Sequence, residues 1–141
     1  MSSAGAARPV VAHRFQLALL RSPVGRLFGG LCELRFVGRV SGRRIALPVQ
    51  CAREETRLVI YVGGSAGKQW WRNFVDGRSV QVRVAGASYQ GHGRVVDVEH
   101  PDRARAEQSY RRRFRKAKVA PTDPMVVIDL AVGPPGEGGV L

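Results

Sequence analysis

The chain has 141 residues, of which 44% are hydrophobic, and it carries a formal net charge of +12. This length suits one domain with a real core, and the apolar content excludes a disordered polyelectrolyte. The excess of basic residues indicates an anionic partner: nucleic acid, an acidic membrane surface, or a ligand with phosphate or carboxylate groups.

The N-terminal segment is predicted to begin with a flexible tail, residues 1–9, followed by a helix from Val10 to Leu20. Apolar residues recur there at helical spacing, and Pro23 ends the pattern. No apolar run is long enough to cross a membrane, and none has the form of a secretory leader. We therefore expect a cytoplasmic protein, with peripheral contact at the inner face of the membrane as an alternative.

The next part of the chain alternates between apolar and polar residues, as half-buried strands do. Cys32, Leu34 and Phe36 alternate in the first predicted strand. A second strand runs from Ile45 to Cys51, and Pro48 within it indicates a sheet edge. Both cysteines lie in these apolar runs without a CxxC pattern, which favours small buried residues over a disulfide or redox pair.

The remaining elements follow in order from residue 54. A hairpin turn at Glu54 leads to a central strand, and a polar stretch after it predicts one or two helical turns. Two alternating strands then meet at Ala85-Gly86, and a helix and a last strand complete the chain. The ranges are Arg57–Val62 for the central strand, Lys68–Val75 for the helical turns, Ser79–Val98 for the strand pair, Pro101 to about Lys118 for the helix, and Pro124–Val132 for the last strand.

Together these elements predict a mainly β (α+β) protein, a small six-stranded antiparallel β-barrel with peripheral helices. The barrel is expected to occupy residues 10–132 as a single domain, with a second flexible tail at 133–141. No acid–base pair accompanies the histidines, and their spacing does not suit a metal, so neither a hydrolase nor a metalloenzyme is supported. "GGSAGKQ", Gly63–Gln69, fails as a phosphate-binding P-loop because its spacing is one residue short.

Two clusters allow both a structural and a functional interpretation. In "YRRRFRKAK", Tyr110 and Phe114 form one apolar stripe, and the basic residues around it form a solvated face or a surface for nucleic acid or membrane. Trp70 and Trp71 are adjacent and cannot enter the same core pocket, so we expect one in the core and the other at a cleft.

The stretch "GRVSGRRIALPV", Gly38 to Val49, places three arginines, a serine and two glycines in a tight turn before an apolar strand. It is either an ordinary solvated turn or a site for an anion. Together with "VGGSAGKQWWRNF", it resembles the deazaflavin-dependent nitroreductase and quinone reductase family, over residues 31–98. The shared pattern is a GRxSG turn, an apolar strand with proline, a glycine-rich loop and a WxxN helix start.

The resemblance implies a split β-barrel of the flavin-reductase type that binds coenzyme F420, with FMN as the alternative. Arginine forks and a serine hydroxyl suit the phosphate and oligoglutamate tail of F420, and glycines would let backbone N–H groups approach the phosphate. The apolar strand would lie against the ring, the glycine-rich loop would contact the polar edge of the ring, and the WxxN segment would close the site, with Asn73 as a structural hydrogen-bonding residue. The residues implied are Arg39, Ser41, Gly42, Arg43 and Arg44 for the tail, Leu47, Pro48 and Val49 for the ring, Gly63, Gly64, Ser65 and Lys68 in the loop, and Trp71, Arg72 and Asn73 in the closing segment.

The implied activity is hydride transfer from reduced F420 to a small electrophile such as a quinone, nitro compound or enone, by a monomer or homodimer. No acid–base dyad is needed, because the cofactor carries the chemistry; no catalytic residue is assigned. Family members that act on nitro compounds have tyrosines near the C-terminus, whereas this chain has none after Tyr110. A non-catalytic flavin- or deazaflavin-binding protein is therefore a second hypothesis. A basic nucleic-acid or membrane-surface binder is the third, although no specific nucleic acid is expected.

Overall fold

The computed structural model describes residues 30–131, which form seven antiparallel strands and one α-helix. The predicted helix at Val10–Leu20 and both predicted tails lie outside these residues. The order of the strands in the sheet is β2-β1-β5-β6-β7-β4-β3. Their bounds are β1 Leu31–Val37, β2 Arg44–Gln50, β3 Ala52–Glu54, β4 Arg57–Tyr61, β5 Arg78–Val84, β6 Ala87–Val96 and β7 Met125–Leu130, and the helix, α1, spans Arg103–Arg113.

The mainly antiparallel β fold is confirmed, but the predicted number of six strands is wrong. The backbone N–H of Cys51 donates to the carbonyl of Gly30 at 2.7 Å, at the end of the β1–β2 ladder. Beyond Cys51 the chain pairs with β4 instead, so that Ala52–Glu54 is a strand of its own. The alternating pattern could not reveal this change of partner, because Ile45, Leu47, Val49 and Cys51 alternate without interruption up to the junction.

The two edge strands of the sheet follow one another in the chain. β2 is the first strand in the sheet order and β3 is the last, yet only Cys51 separates them. The sheet must therefore curl round until its edges approach, and β2 does contact β4. The result is a half-barrel joined at Cys51. Pro48 lies on the edge strand β2, as predicted, where its missing N–H costs no ladder bond.

Two apolar clusters stabilise the half-barrel, one on each face of the sheet. The inner cluster includes both cysteines, which are free thiols with exposures of 0% and 2%. β4 contributes to both clusters, with Leu58 and Ile60 inside and Val59 beneath α1. This burial on both faces confirms that Arg57–Tyr61 is a central strand.

Helix α1 covers the outer cluster and ends earlier than predicted. The pattern indicated a helix to about Lys118, but regular structure stops at Arg113. Phe114 leaves the helix, and its ring lies 4.8 Å from that of Tyr110 and against Gly30. This packing fixes Phe114 outside helical geometry, so the basic residues after it continue as turn and coil. None of the helices in the described part of the chain is long and apolar enough to cross a membrane.

The segment Trp70–Phe74, called the plug below, packs into the inner cluster of the half-barrel. Two 3₁₀ turns follow β4, Ser65–Gly67 and Trp70–Phe74; the second confirms the helical turns predicted for Lys68–Val75, and the first was not predicted. Phe74 is fully buried, edge-on to Phe36 with ring centroids 5.0 Å apart. It also fills the space beside Gly93, where an added Cβ would come within 2.7 Å of the Phe74 ring. Phe74 thus anchors the segment that carries Trp70, Trp71 and Asn73.

Candidate functional site

The arginine turn, Gly38–Arg44, is closed by its own backbone. Gly38 N–H donates to the Arg43 carbonyl at 2.8 Å, and Gly42 N–H donates to the Gly38 carbonyl at 2.9 Å. The N–H of Arg43 donates to Ser41 Oγ at 3.1 Å. Gly42 has φ 71°, which side chains other than glycine disfavour. The N–H groups of Gly38 and Gly42 therefore close the turn, and a phosphate could contact these two groups only if their internal hydrogen bonds opened.

The side chains of the turn, by contrast, are available. Arg39, Arg43 and Arg44 are all exposed. Arg39 lies 3.8 Å from Asp76, whose side chain is 85% exposed. Within residues 30–131, neither Arg43 nor Arg44 has a carboxylate partner. Because the Ser41 hydroxyl oxygen accepts the Arg43 N–H, its own O–H remains able to donate. An anion at this turn would be held by guanidinium and hydroxyl groups.

Asn73 joins the turn to the plug of the half-barrel. Its Oδ1 accepts the backbone N–H of Arg39 at 2.8 Å, across 34 residues of sequence. Its Nδ2 donates to the carbonyl of Trp70 at 2.9 Å. Both ends of the half-buried amide are therefore occupied, and Asn73 makes the structural hydrogen bonds expected of it. This contact places the two parts of the sequence resemblance side by side.

The glycine-rich loop, Gly63–Lys68, is organised by a residue that the motifs did not identify, Asp123. The carboxylate of Asp123 accepts the N–H of Ser65 at 3.0 Å and its hydroxyl at 2.8 Å. It also accepts the Tyr61 hydroxyl at 2.7 Å and, at 3.4 Å, the N–H of Gly64. Two backbone donors of this loop, the N–H groups of Gly64 and Ser65, are thus directed at a carboxylate of the protein itself.

The same hydrogen bonds make the Asp123 carboxylate strongly acidic. Donation from Tyr61 and from Ser65 stabilises the ionised form and lowers the Asp123 pKa from its usual 3.8 to about 2. A carboxyl group whose pKa falls on folding stabilises the folded state when it is ionised. That contribution is complete well above the ordinary pKa and is lost as the pH falls through the folded value.

We therefore expect Asp123→Asn to destabilise the protein near neutral pH and to have progressively less effect in acid. The difference in free energy of unfolding between wild type and variant should shrink as the pH falls from about 5 towards 2. Urea unfolding at a series of pH values measures it. Because the pKa values of Glu54, Glu107 and Asp129 are also lowered by neighbouring donors or arginines, the comparison uses the difference between the two proteins. A difference that does not change with pH would contradict the hydrogen-bonded, ionised Asp123.

The sequence predicts one tryptophan in the core and the other at a cleft, but the structure does not divide them in this way. Both are half-buried and pack against the inner cluster, and the fully buried residue is Phe74. Trp71 Nε1 donates to the carbonyl of Ser65 at 3.2 Å, which ties the plug to the glycine-rich loop. The Arg72 guanidinium lies 5.4 Å from the centre of the Trp71 ring, which makes a cation–π contact.

The apolar strand β2 presents its residues to two faces. Leu47 and Val49 pair with Leu34 and Cys32 and pack on the inner cluster. Pro48 lies opposite Glu33, on the other face of the sheet. The side chains of Leu47, Pro48 and Val49 therefore cannot all lie against one face of a planar ring.

The structure brings together the turn, the plug and the glycine-rich loop, but not the basic residues around α1. Arg111 pairs with Glu107 at 3.0 Å, and Arg112 pairs with Glu54. From Arg113 onward, four basic residues remain exposed without a carboxylate partner among residues 30–131: Arg113, Arg115, Lys116 and Lys118. Within the same residues, no group of three histidine, cysteine or acidic side chains could hold a metal ion.

Sequence reasoning missed Asp123, Asp76 and Phe74 as parts of this site. Asp123 stands between prolines in "PTDP", a turn-like context that gives no sign of its partners 58–62 residues away. The sequence contains a weak indication for Phe74, because it is an apolar residue that follows Trp71 at the helical spacing of three in a polar stretch. Contacts over such separations require the strand order, which the sequence does not specify.

No protein-family model matches the chain, and no curated protein matches it. Among solved structures, one described as a domain-swapped dimer is 14% identical, with a TM-score of 0.53 over 71% of this chain and 80% of that one. An F420-H2 dependent reductase is 14% identical over 71% of this chain and 94% of that one, with a TM-score of 0.49. An FAD and heme binding protein from Mycobacterium smegmatis is 17% identical over 85% and 71%, with a TM-score of 0.44. The likeness to the first of these concerns the fold alone.

Proposed function

We propose that this protein is a split-barrel oxidoreductase that binds coenzyme F420 and transfers a hydride to a quinone, nitro compound or enone. The observation that carries the proposal is the hydrogen bond from Arg39 N–H to Asn73 Oδ1. It joins the GRxSG turn to the WxxN segment, and these are the motifs on which the family resemblance rests. Two segments 34 residues apart thus contribute to one surface.

The donor groups of the turn fit a polyanionic tail. F420 carries a phosphodiester and a chain of carboxylates, and each oxyanion can accept two parallel N–H bonds from a guanidinium. Arg43 and Arg44 have no acidic partner within the described residues, and Arg39 has only an exposed one. Arg39, Arg43, Arg44 and the Ser41 hydroxyl would hold the tail, while the backbone N–H groups of the turn maintain its shape.

The ring would lie between the plug and the glycine-rich loop. Trp71 and Arg72 offer a half-buried aromatic surface with a cation over it, and Asn73 holds this segment against the turn. Gly63, Gly64 and Lys68 belong to the loop that contacts this segment through Ser65, and Pro48 and Val49 lie on the strand that follows the turn. When bound, F420 supplies the hydride; the side chains of the protein need only hold the two reactants together and exclude water.

A spectroscopic titration with F420 and with FMN tests this proposal. We expect tighter binding of F420, because the arginine turn suits a long anionic tail. Its affinity should fall as salt is added, since exposed ion pairs are screened. Equal or tighter binding of FMN at moderate salt would contradict the assignment of the turn to an oligoglutamate tail.

A second candidate is a binding protein that holds such a cofactor without turnover. This chain has no tyrosine after Tyr110, whereas nitro-reducing members of the family that it resembles have tyrosines near the C-terminus. This difference favours the binding protein. The two functions share one binding site and differ only in catalysis. Oxidation of reduced F420 by a panel of quinones, nitro compounds and enones distinguishes them: turnover supports the oxidoreductase, and stable binding without oxidation supports the second candidate.

A further inference from the structure

The carboxylate of Asp123 occupies a cluster of donors that would otherwise suit an external anion. Four donors converge on it: two backbone N–H groups of the glycine-rich loop, the Ser65 hydroxyl and the Tyr61 hydroxyl. Tyr61 is fixed in turn, because its oxygen accepts the N–H of Ala120 at 3.0 Å. Ser65 is buried with 7% exposure, whereas Tyr61 and Asp123 are half-buried and Gly64 is exposed, so the cluster lies at the border between the core and the surface.

Three hydrogen bonds, together with the short chain segment from Trp71 to Asn73, connect this carboxylate to the arginine turn. Ser65, held by Asp123, accepts the indole N–H of Trp71 through its carbonyl. Trp71 and Asn73 belong to the same short 3₁₀ turn. The side-chain oxygen of Asn73 accepts the backbone N–H of Arg39, which belongs to the arginine turn. The position of the turn therefore depends on the position of the loop.

We propose that Asp123 is a positioning residue for the candidate ligand site. Its carboxylate serves as a built-in anion that fixes the glycine-rich loop and, through Trp71 and Asn73, aligns that loop with the arginine turn. The loop then presents a preformed border to the ligand instead of binding the ligand's anionic groups through its N–H groups. This inference rests on the proposed function, because it treats loop and turn as parts of one ligand site.

The experiment uses Trp71 as a reporter for the loop. In a Trp70→Phe background, which keeps an aromatic ring beside Phe74, Trp71 is the only tryptophan, and its indole N–H is bonded to Ser65. Asp123→Ala should release the loop and shift the Trp71 emission to longer wavelength. It should also weaken F420 binding roughly tenfold, because a misplaced loop and turn no longer match one ligand.

Rescue by a small carboxylate distinguishes positioning from general destabilisation. Formate is small enough to enter the space left by Asp123→Ala and can accept the same donors. We expect formate, compared with chloride at equal ionic strength, to restore both the emission and the affinity in a saturable way. Asp97→Ala is the matched control: Asp97 is an exposed loop acid whose carboxylate, among the described residues, accepts the N–H of nearby Glu99, so neither readout should change.

Several results would overturn the proposal. One is a folded Asp123→Ala variant whose Trp71 emission wavelength is unchanged and whose F420 affinity stays within about twofold of the background protein. Another is a loss of F420 affinity that formate does not reverse. If Asp123→Ala fails to fold, the isosteric Asp123→Asn replaces it, and unchanged emission and affinity in that variant overturn the proposal equally. If wild-type protein does not bind F420, the proposed function fails, whereas the emission and its rescue by formate still test whether Asp123 positions the loop.

Discussion

Replacing Arg39 and Arg43 together with alanine is expected to weaken F420 binding by roughly 1.5–3 kcal/mol for each charge-assisted hydrogen bond that the guanidinium groups no longer make. The free energy of unfolding of the free protein should change by less than about 1 kcal/mol. The reason is structural: the bond to Asn73 uses the Arg39 backbone, which alanine keeps, and the Arg39 side chain has only an exposed partner at 3.8 Å. Calorimetric titration and urea unfolding of the same variant measure the two effects.

A charge-matched control separates a specific site from general electrostatic attraction. Arg115 and Lys116 are exposed residues beyond the end of α1, and replacing both with alanine removes the same charge. F420 affinity should be nearly unchanged in that variant. Equal losses of affinity in the two variants would mean that the turn is not the site of the tail. A collapse of stability in the Arg39 and Arg43 variant would mean that these arginines belong to a structural network.

Phe74→Ala is expected to lower the free energy of unfolding by about 3–5 kcal/mol. The ring is fully buried, packs edge-on against Phe36, and fills the space that Gly93 leaves open. Alanine would leave a cavity at the end of the half-barrel and release the segment that carries Trp71 and Asn73. The change is a large fraction of the stability of a domain of this size. Urea denaturation with a constant m-value measures it.

The neighbouring residue provides the control for Phe74. Val75 is 51% exposed, and Val75→Ala should change the free energy of unfolding by no more than about 0.5 kcal/mol. A cost below about 1 kcal/mol for Phe74→Ala would show that the site collapses around the smaller residue. Phe74 would then not be the anchor of the plug.

The strands that could be predicted from the sequence are those whose residues alternate and end at a local signal. Cys32, Leu34 and Phe36 alternate in β1 and are all buried. β5 and β6 meet at Ala85-Gly86, where both residues have positive φ, as a tight hairpin turn requires. In these cases the alternation of buried residues and the preference of the turn residues for positive φ act over a few neighbouring positions. The local sequence is therefore enough to predict the strands.

The errors arose where a distant partner decides the local structure. The pairing with β1 ends at Cys51, after which the chain pairs with β4, and Phe114 lies outside α1 with its ring packed on Tyr110. Neither event changes the residue pattern. In the candidate site, the composition of the turn identified its arginines, but not that its N–H groups are used internally. Asp123 was missed because its importance comes from the Ser65 and Tyr61 donors, which only the folded chain brings to it.

The central claim, that turn, plug and loop form one ligand site, is tested most directly by following backbone amide signals by NMR during a titration with F420. The protein is small enough for residue-specific assignment, and the titration reports every segment at once. We expect saturable shifts concentrated in Gly38–Arg44 and Gly63–Asn73, with the signals of Arg113–Lys118 nearly unmoved at moderate salt. Shifts centred on Arg113–Lys118, or shifts that spread over all basic segments without saturating, would contradict the claim.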